Sequence, residues 1–398
     1  MSVNDPRRRA DPVPPISLNR RRFLGCSAAA GIALSQGRVA EAAATGDAAP
    51  VRLGVIGVGT RGTTLLRSLL ELPGVSIVAV CDPEPKHRLR GQGIVEKAGG
   101  VRPEAYERAE QLLGRDDVDA VTVATPCDLH ADLYSAAIRA GKHLYAEKPL
   151  GLTPGECDRL IAEAAAVPSL AVHVGFQRRS NPRYREGVER IRRGELGSLV
   201  EGTATWVSSN GPMCGHDDWL ARRDRSGDWM VEQAVHVWDV FRWVTGAPPV
   251  RAYGHGRRDL FAGVQPGRDV TDHYSVHLEW ADGFHATFVH SWVATADDRF
   301  TGVSLQVVGT EGGLDFGSGA LTFRDRSRPR QSVQPGVHAD TRLALAAFLA
   351  AVRSDEPAPP PLTLAEARDA TLTGLLVRQA VDERRLVTLD EVRAGAGV

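Results

Sequence analysis

"VRLGVIGVGTRG", residues 51–62, is the stretch from which the rest of the chain is read. Apolar residues run almost unbroken to Gly57, as in a strand buried on both faces, and Gly57, Gly59 and Gly62 follow in GxGxxG spacing. Each glycine has a task in such a turn. Gly57 permits the tight bend, Gly59 lets the backbone approach a pyrophosphate, and Gly62 lets a helix pack closely on the strand. Thr60 and Arg61 lie in the turn, where the first N–H groups of that helix face the phosphates. GxGxxG alone is a weak signal, so its surroundings carry the reading. "TTLLRSLLELPG" has helical periodicity stopped by Pro73 and Gly74, and "VSIVAVCD" is a second strand ending at Asp82, twenty residues beyond Gly62. A carboxylate there accepts hydrogen bonds from an adenosine ribose and disfavours a 2′-phosphate. NAD is therefore expected, with NADP the lesser alternative because Lys86, His87 and Arg88 lie close by.

Strands and helices keep alternating. "VDAVTVATP" is a strand ending at Thr125 and Pro126, "LHADLYSAAIRAG" a helix, and "HLYAEKPL" a strand ending at Glu147 and Lys148. This spacing predicts an α/β fold whose doubly wound parallel Rossmann sheet occupies residues 51–170. Ligands lie at the carboxyl ends of such strands, so Thr125, Pro126, Glu147 and Lys148 are expected at the cofactor crevice. The chain has only four lysines, Lys86, Lys97, Lys142 and Lys148, among 48 cationic residues. A lysine in an apolar stretch of so arginine-rich a chain asks for a reason specific to an amine. It can orient a hydroxyl and can lose its proton, which guanidinium cannot; a structural ion pair with Glu147 is the alternative.

From about residue 170 the pattern changes, and residues 171–398 are expected to form a second, α+β domain. "AVHVGFQRRSNPRYREGVERIRRGELG" reads as a strand, a loop and an Arg/Glu helix, followed by an irregular stretch over 207–228. "DWMVEQAVHVWDVFRWVTG" reads as one helix capped by Asp228 and stopped by Gly246. On that helix Glu232, His236 and Asp239 fall within about 60° of one another. The stripe is either a functional face or a solvated one; Gln233 and Arg242 suit the second reading and Trp243 the first. "DHYSVHLEWADGFHATFVHSW" and "FTGVSLQVVGTEGGLDF" alternate as strands, the first about an Asp282-Gly283 turn, and predict an open, mostly antiparallel sheet. His273, His277, His285 and His290 are expected on the sheet surface or at an interface, and no metal site is expected. A Pro-rich linker and an amphipathic helix close the sequence.

The 398 residues, 42% of them hydrophobic, suit two domains with full cores, and no apolar run approaches the ~18 residues of a membrane span. The formal charge is −1; residues 1–44 hold seven arginines against three carboxylates, which leaves the remainder near −5. That balance argues against a nucleic-acid or anionic-membrane partner. Cys26, Cys81, Cys127, Cys157 and Cys214 show neither disulfide nor zinc spacing. "NRRRFLGCSAAAGIALSQGRVAEAAA", residues 19–44, has Arg20 and Arg21, a mild apolar segment and Ala-x-Ala sites in the order of a removable twin-arginine signal. An exported protein and the twin-arginine export machinery are therefore expected, with no membrane anchor after processing. A disordered Arg-rich N-terminus of a cytoplasmic enzyme is the alternative.

The chain after the leader resembles the glucose-fructose oxidoreductase / inositol dehydrogenase / rhizopine-catabolism family of NAD(P)-dependent oxidoreductases. The residues that carry the resemblance are Gly57 to Gly62, Glu147-Lys148-Pro149, "GFQRR" at residues 175–179, and His236 in its helix before "TGAPP". It implies that Lys148 is the active-site lysine and His236 the acid and base, with Arg178, Asn181, Glu232 and Asp239 in the substrate pocket. The family often has aspartate where Glu232 stands, four residues before the histidine, so an inositol-like specificity does not transfer directly. The implied reaction is oxidation of a secondary hydroxyl on a sugar, polyol or glycoside. Open sheets in such a domain often pair face to face, so a homo-oligomer is expected. Export without an outside NAD pool favours a retained, recycled cofactor. A redox-neutral NAD-dependent glycosidase and a non-catalytic periplasmic sugar-binding protein are the alternatives.

Overall fold

In a computed structural model of the chain, residues 49–213, 215–336, 340–354 and 359–395 are described. The leader expected over residues 1–44, with Arg20, Arg21 and Cys26, lies outside the described residues, as does Cys214. Among the described residues no helix is long and apolar enough to cross a membrane.

The quoted stretch begins the first sheet. Strands β1 (Val51–Ile56), β2 (Val75–Cys81), β3 (Glu104–Tyr106), β4 (Ala120–Val123), β5 (His143–Ala146) and β6 (Val172–Val174) are all parallel, in the order β3-β2-β1-β4-β5-β6. Every residue of β4, and Leu53 and Val55 of β1, is buried, because helices cover both faces; hence the continuous apolar runs without alternation. The order reverses between β1 and β4, which opens the crevice at their carboxyl ends. The sheet takes its last strand from beyond residue 170. A second departure from the expected boundary is the helix Asp340–Val352, which packs on this half. Its Leu345, Phe348 and Leu349 share one core with Leu53, Val55, Leu65 and Tyr145, and the Phe348 ring lies 5.7 Å from Tyr145 and 5.5 Å from His173. Burying such a phenylalanine contributes about 2–3 kcal/mol.

The second sheet has nine strands: β7 (Leu199–Val207), β8 (Arg251–Arg257), β9 (His273–Glu279), β10 (His285–Ser291), β11 (Gly302–Gly309), β12 (Gly312–Asp315), β13 (Ala320–Phe323), β14 (Gln331–Ser332) and β15 (Val387–Thr388). Their order is β14-β13-β12-β11-β7-β10-β9-β8-β15, antiparallel except for the central β7/β10 pair. One face packs under the helices Val235–Thr245 and Leu364–Glu383. The approach is close: a Cβ at Gly202 on β7 would stand 2.5 Å from the Phe241 ring. The opposite face carries the row Tyr253, His277, Thr287, Thr203 and Gln306 in register across β8, β9, β10, β7 and β11.

Two expectations are corrected here. His290 is not a sheet-surface residue: it has the other parity from His285, is wholly buried, bonds Gln233 Oε1 through Nε2 at 2.7 Å and stacks on Trp229. The helix expected over 228–246 is two, Trp229–Glu232 and Val235–Thr245. Asp228, at φ 71°, caps the first by accepting from the Trp229 N–H, and Gly246, at φ 84°, ends the second in the left-handed region.

Candidate active site

The glycine turn shows three different constraints. Gly57 has φ +81°, and a Cβ there would lie 2.5 Å from the Ala124 carbonyl oxygen. A Cβ at Gly62 would lie 1.8 Å from the Gly57 oxygen, so helix and turn touch directly. A Cβ at Gly59 would meet nothing within 4 Å. Open space thus stands at the N-terminus of the helix Thr60–Leu70, whose first turn holds no acidic residue, and a diphosphate fits there. Asp82 follows β2 and is buried; its Oδ2 accepts the Val58 N–H at 2.8 Å and its Oδ1 the Glu84 N–H at 3.0 Å. The carboxylate is thereby held beside the turn, where a ribose would be read. After β4 come Thr125, whose buried hydroxyl has no partner among the described residues, and Pro126, which starts the short turn at residues 127–129.

Glu147 and Lys148 follow β5 and take different partners. Arg61 Nε pairs with Glu147 Oε1 at 2.7 Å and its Nη1 donates to Thr341 Oγ1 at 3.1 Å, while its buried Nη2 has no partner among the described residues. Glu147 is thus occupied from the glycine turn, and Lys148 pairs with Glu232 instead: Nζ donates to the Glu232 carbonyl at 2.5 Å and to its Oε1 at 2.6 Å. Burial works against the ammonium, yet the adjoining Glu232 carboxylate holds the Lys148 pKa above its ordinary value.

His236 sits in the first turn of the helix Val235–Thr245, with Phe176 edge-on at 5.9 Å and Nδ1 buried without a partner among the described residues. Its pKa lies well below the usual imidazole value, first through burial and then through the positive charges of Lys148, Arg178 and Arg61. The imidazole is therefore neutral near pH 7 and able to accept a proton. Arg178 donates to the His236 carbonyl at 3.3 Å and lies over the rings of Tyr184 and Trp206, at 5.6 and 5.7 Å.

The remaining substrate-pocket expectations divide. Asn181 is buried and caps the helix Pro182–Arg192 by accepting the Arg183 N–H at 3.0 Å. Asp239 is corrected: it is wholly buried, and both its oxygens accept from Arg179, at 2.7 to 3.1 Å. It shares a helix stripe with His236, but a buried guanidinium has taken its carboxylate, and its task is to anchor the helix. Asp340 and Thr341 at the start of the helix Asp340–Val352 were not anticipated. Thr341 accepts from Arg61; burial raises the Asp340 pKa, against the pull of Arg61 and Arg178. Nearly 280 residues separate them from Arg61, and no local pattern marks them.

The irregular stretch expected over 207–228 also has a place. His216 Nε2 lies 3.3 Å from Glu84 Oε1, two residues past Asp82, with the His216 and His87 rings edge to face at 5.7 Å. Nine residues on, Arg225 Nε lies 3.4 Å from Asp128 Oδ2, beyond β4, and its Nη1 is 2.9 Å from Asp217. Residues 216–225 form a strap from the end of β2 to the end of β4, the two strands flanking the glycine turn.

A parallel sheet with this turn, a largely buried lysine at its carboxyl edge and a neutral histidine brought from a second domain define a nicotinamide-dinucleotide oxidoreductase fold. Residues 51–176 match the model described as "Oxidoreductase family, NAD-binding Rossmann fold", and residues 184–315 match the "GFO/IDH/MocA C-terminal domain". An inositol 2-dehydrogenase of Acidothermus cellulolyticus is 31% identical over 255 residues, covering 59% of this chain and 68% of that protein. The chain belongs to the GFO/IDH/MocA family. It is also similar to a "Glycosyl hydrolase family 109 protein" of Shewanella amazonensis, 32% identical over 48% of this chain and 46% of that protein, so it spans about half that relative's length. Among solved structures, a probable dehydrogenase from Thermotoga maritima superposes with TM-score 0.68 at 24% identity, covering 86% of this chain and 99% of that one. The scyllo-inositol dehydrogenase of Lactobacillus casei, solved with NAD(H) and scyllo-inositol, gives 0.70 at 19% identity over 86% and 99%. These two likenesses concern the fold.

Proposed function

We propose that the protein is an exported, NAD-retaining oxidoreductase that oxidises a secondary hydroxyl of a sugar, polyol or glycoside. The observation that carries the reading is that Lys148, largely buried and held by Glu232 at the carboxyl edge of the dinucleotide-binding sheet, lies near enough to the buried His236 for its charge to help keep that imidazole neutral. Bound NAD supplies the hydride acceptor. Lys148 binds the carbinol oxygen and stabilises the negative charge that develops on it. His236 takes the hydroxyl proton. Retention of the cofactor is supported by the strap of residues 216–225, and export by the order of charged, apolar and small residues in the leader. Subunits are proposed to pair through the uncovered face of the nine-stranded sheet.

The test is made on protein exported through its own leader and dialysed extensively: it is denatured and any released nucleotide identified by mass spectrometry. NAD close to one per chain is expected. Lys148→Met is expected to keep that nucleotide and lose at least a thousandfold of hydride transfer to or from paired sugar substrates. Full activity in the variant would overturn the assignment.

A redox-neutral glycosidase is the second reading. It is favoured by a 43% identity over 115 residues to a "Glycosyl hydrolase family 109 protein" of Saccharopolyspora erythraea, a match covering 28% of this chain and 25% of that protein. Release of free sugar from an aryl glycoside with no net change in nicotinamide absorbance would select it.

A further inference from the structure

His130 begins the helix His130–Arg139, and Tyr134 lies one turn on along the same face; both side chains are buried. The Tyr134 hydroxyl donates to the Glu147 carbonyl. His130 Nδ1 lies 2.9 Å from the Pro149 carbonyl oxygen, and Nε2 lies 3.0 Å from that of Thr125. One helix turn therefore grips the main chain on both sides of Lys148 and reaches back to the end of β4. Glu232 holds the ammonium itself. We propose that His130 is a positioning residue for Lys148, acting through one tautomer in which the ring proton sits on Nδ1 and is donated to the Pro149 carbonyl.

Both partners of the ring are carbonyls, which only accept, and a neutral imidazole has a single N–H to give. The groups that face the ring are the Lys148 ammonium and the Glu147 carboxylate from the end of β5, and the Tyr134 phenol at 5.0 Å on its own helix. Burial first, and then the Lys148 charge, hold the His130 pKa below the ordinary imidazole value against the two carbonyls and Glu147. At neutral pH the ring therefore carries one proton for two acceptors. Pro149 is buried and Thr125 half-buried, so water can serve the Thr125 carbonyl and cannot serve the other. A buried carbonyl left without a donor is costly, which places the proton on Nδ1.

The main chain at Lys148 sets where the ammonium stands, and a displacement of about 1 Å at a reacting group can cost on the order of a hundredfold in rate. This consequence rests on the reading of Lys148 as the group that binds the carbinol oxygen. The tautomer and the grip on the main chain do not.

The first measurement is nitrogen NMR at pH 7 on the NAD-loaded full chain with isotope-labelled histidine rings, the His130 signals being assigned by their loss in His130→Asn. A neutral ring protonated on Nδ1 is expected; a proton on Nε2 alone, or on both nitrogens, would overturn the proposal. The second compares two variants. Asparagine carries its amide N–H groups at the place of Nδ1 and glutamine at the place of Nε2, while glutamine fills the space better, so packing alone predicts that glutamine is the milder change. The chain has only four lysines, and carbon NMR of lysine labelled at Cε resolves Lys148, assigned through Lys148→Met. Its signal should stay in place in His130→Asn and move in His130→Gln. Reduction of bound NAD by saturating D-glucose or myo-inositol should slow at least tenfold in His130→Gln and far less in His130→Asn, with half-saturating sugar concentrations unchanged. The reverse order, or equal effects in the two variants, would overturn the positioning role. Lysine signals that behave as expected in a protein that neither sugar reduces would count against the sugar reading of the crevice and leave the role of His130 standing.

Discussion

Lys148 is bonded twice to Glu232, through main chain and side chain, across 84 positions of sequence. The contact joins the end of β5 to the short helix that precedes His236, so one residue both sets the lysine's charge and fixes its distance from the second domain. Glu232→Gln keeps the carbonyl contact and removes the charge that raises the Lys148 pKa. The alkaline limb of kcat/KM is expected to move to lower pH in this variant. A limb that stays in place would show that Lys148 does not report there.

The glycine turn separates folding from binding. Gly59→Ala is expected to leave stability within about 0.5 kcal/mol, since its backbone φ of −68° suits alanine and the new methyl enters open space; NAD affinity should fall at least tenfold. Gly62→Ala drives a methyl into the Gly57 carbonyl and should cost about 3 kcal/mol. Urea unfolding and nucleotide binding measured on both variants check the contrast.

Two buried histidines make the fold acid-sensitive. Burial pushes His290 down to about 3, helped by His273, and His173 down to about 4. The unfolded chain takes up these protons first, near its ordinary value of ~6.5, so the stability they confer is complete above that pH and is lost as pH falls toward 4 and 3. At pH 5 the loss is about 2 kcal/mol for each. The urea midpoint should therefore drop between pH 7 and pH 5, and drop less in His290→Gln. An equal drop in both proteins would remove His290 as a cause.

The strap should govern how long a nucleotide stays. Its ion pairs are partly exposed, each worth up to about 1 kcal/mol, so His216→Ala with Glu84→Ala is expected to speed NAD loss several-fold while leaving the melting temperature nearly unchanged. The rate is followed by filtration after dilution into nucleotide-free buffer. Identical rates would mean that the strap does not hold the cofactor.

The first sheet, its glycine turn, Asp82 and the place of Lys148 are legible in the amino-acid order, because buried parallel strands and a phosphate turn impose local residue patterns: continuous apolar runs, glycine at set offsets, a lysine where a strand ends. Period-two alternation likewise marks the mostly antiparallel character of the second sheet. Which charges meet is settled by the folded chain. Glu147 goes to Arg61 and Lys148 to Glu232; Asp239 lies near His236 in helix angle yet is consumed by Arg179; His290 faces inward although its neighbours suggest a surface strand. The helix Asp340–Val352 returns across nearly the whole chain to complete the first core and meet Arg61. Periodicity reports how a segment is buried, whereas the partner of a buried charge is set by contacts between segments far apart in sequence, and no local pattern records those.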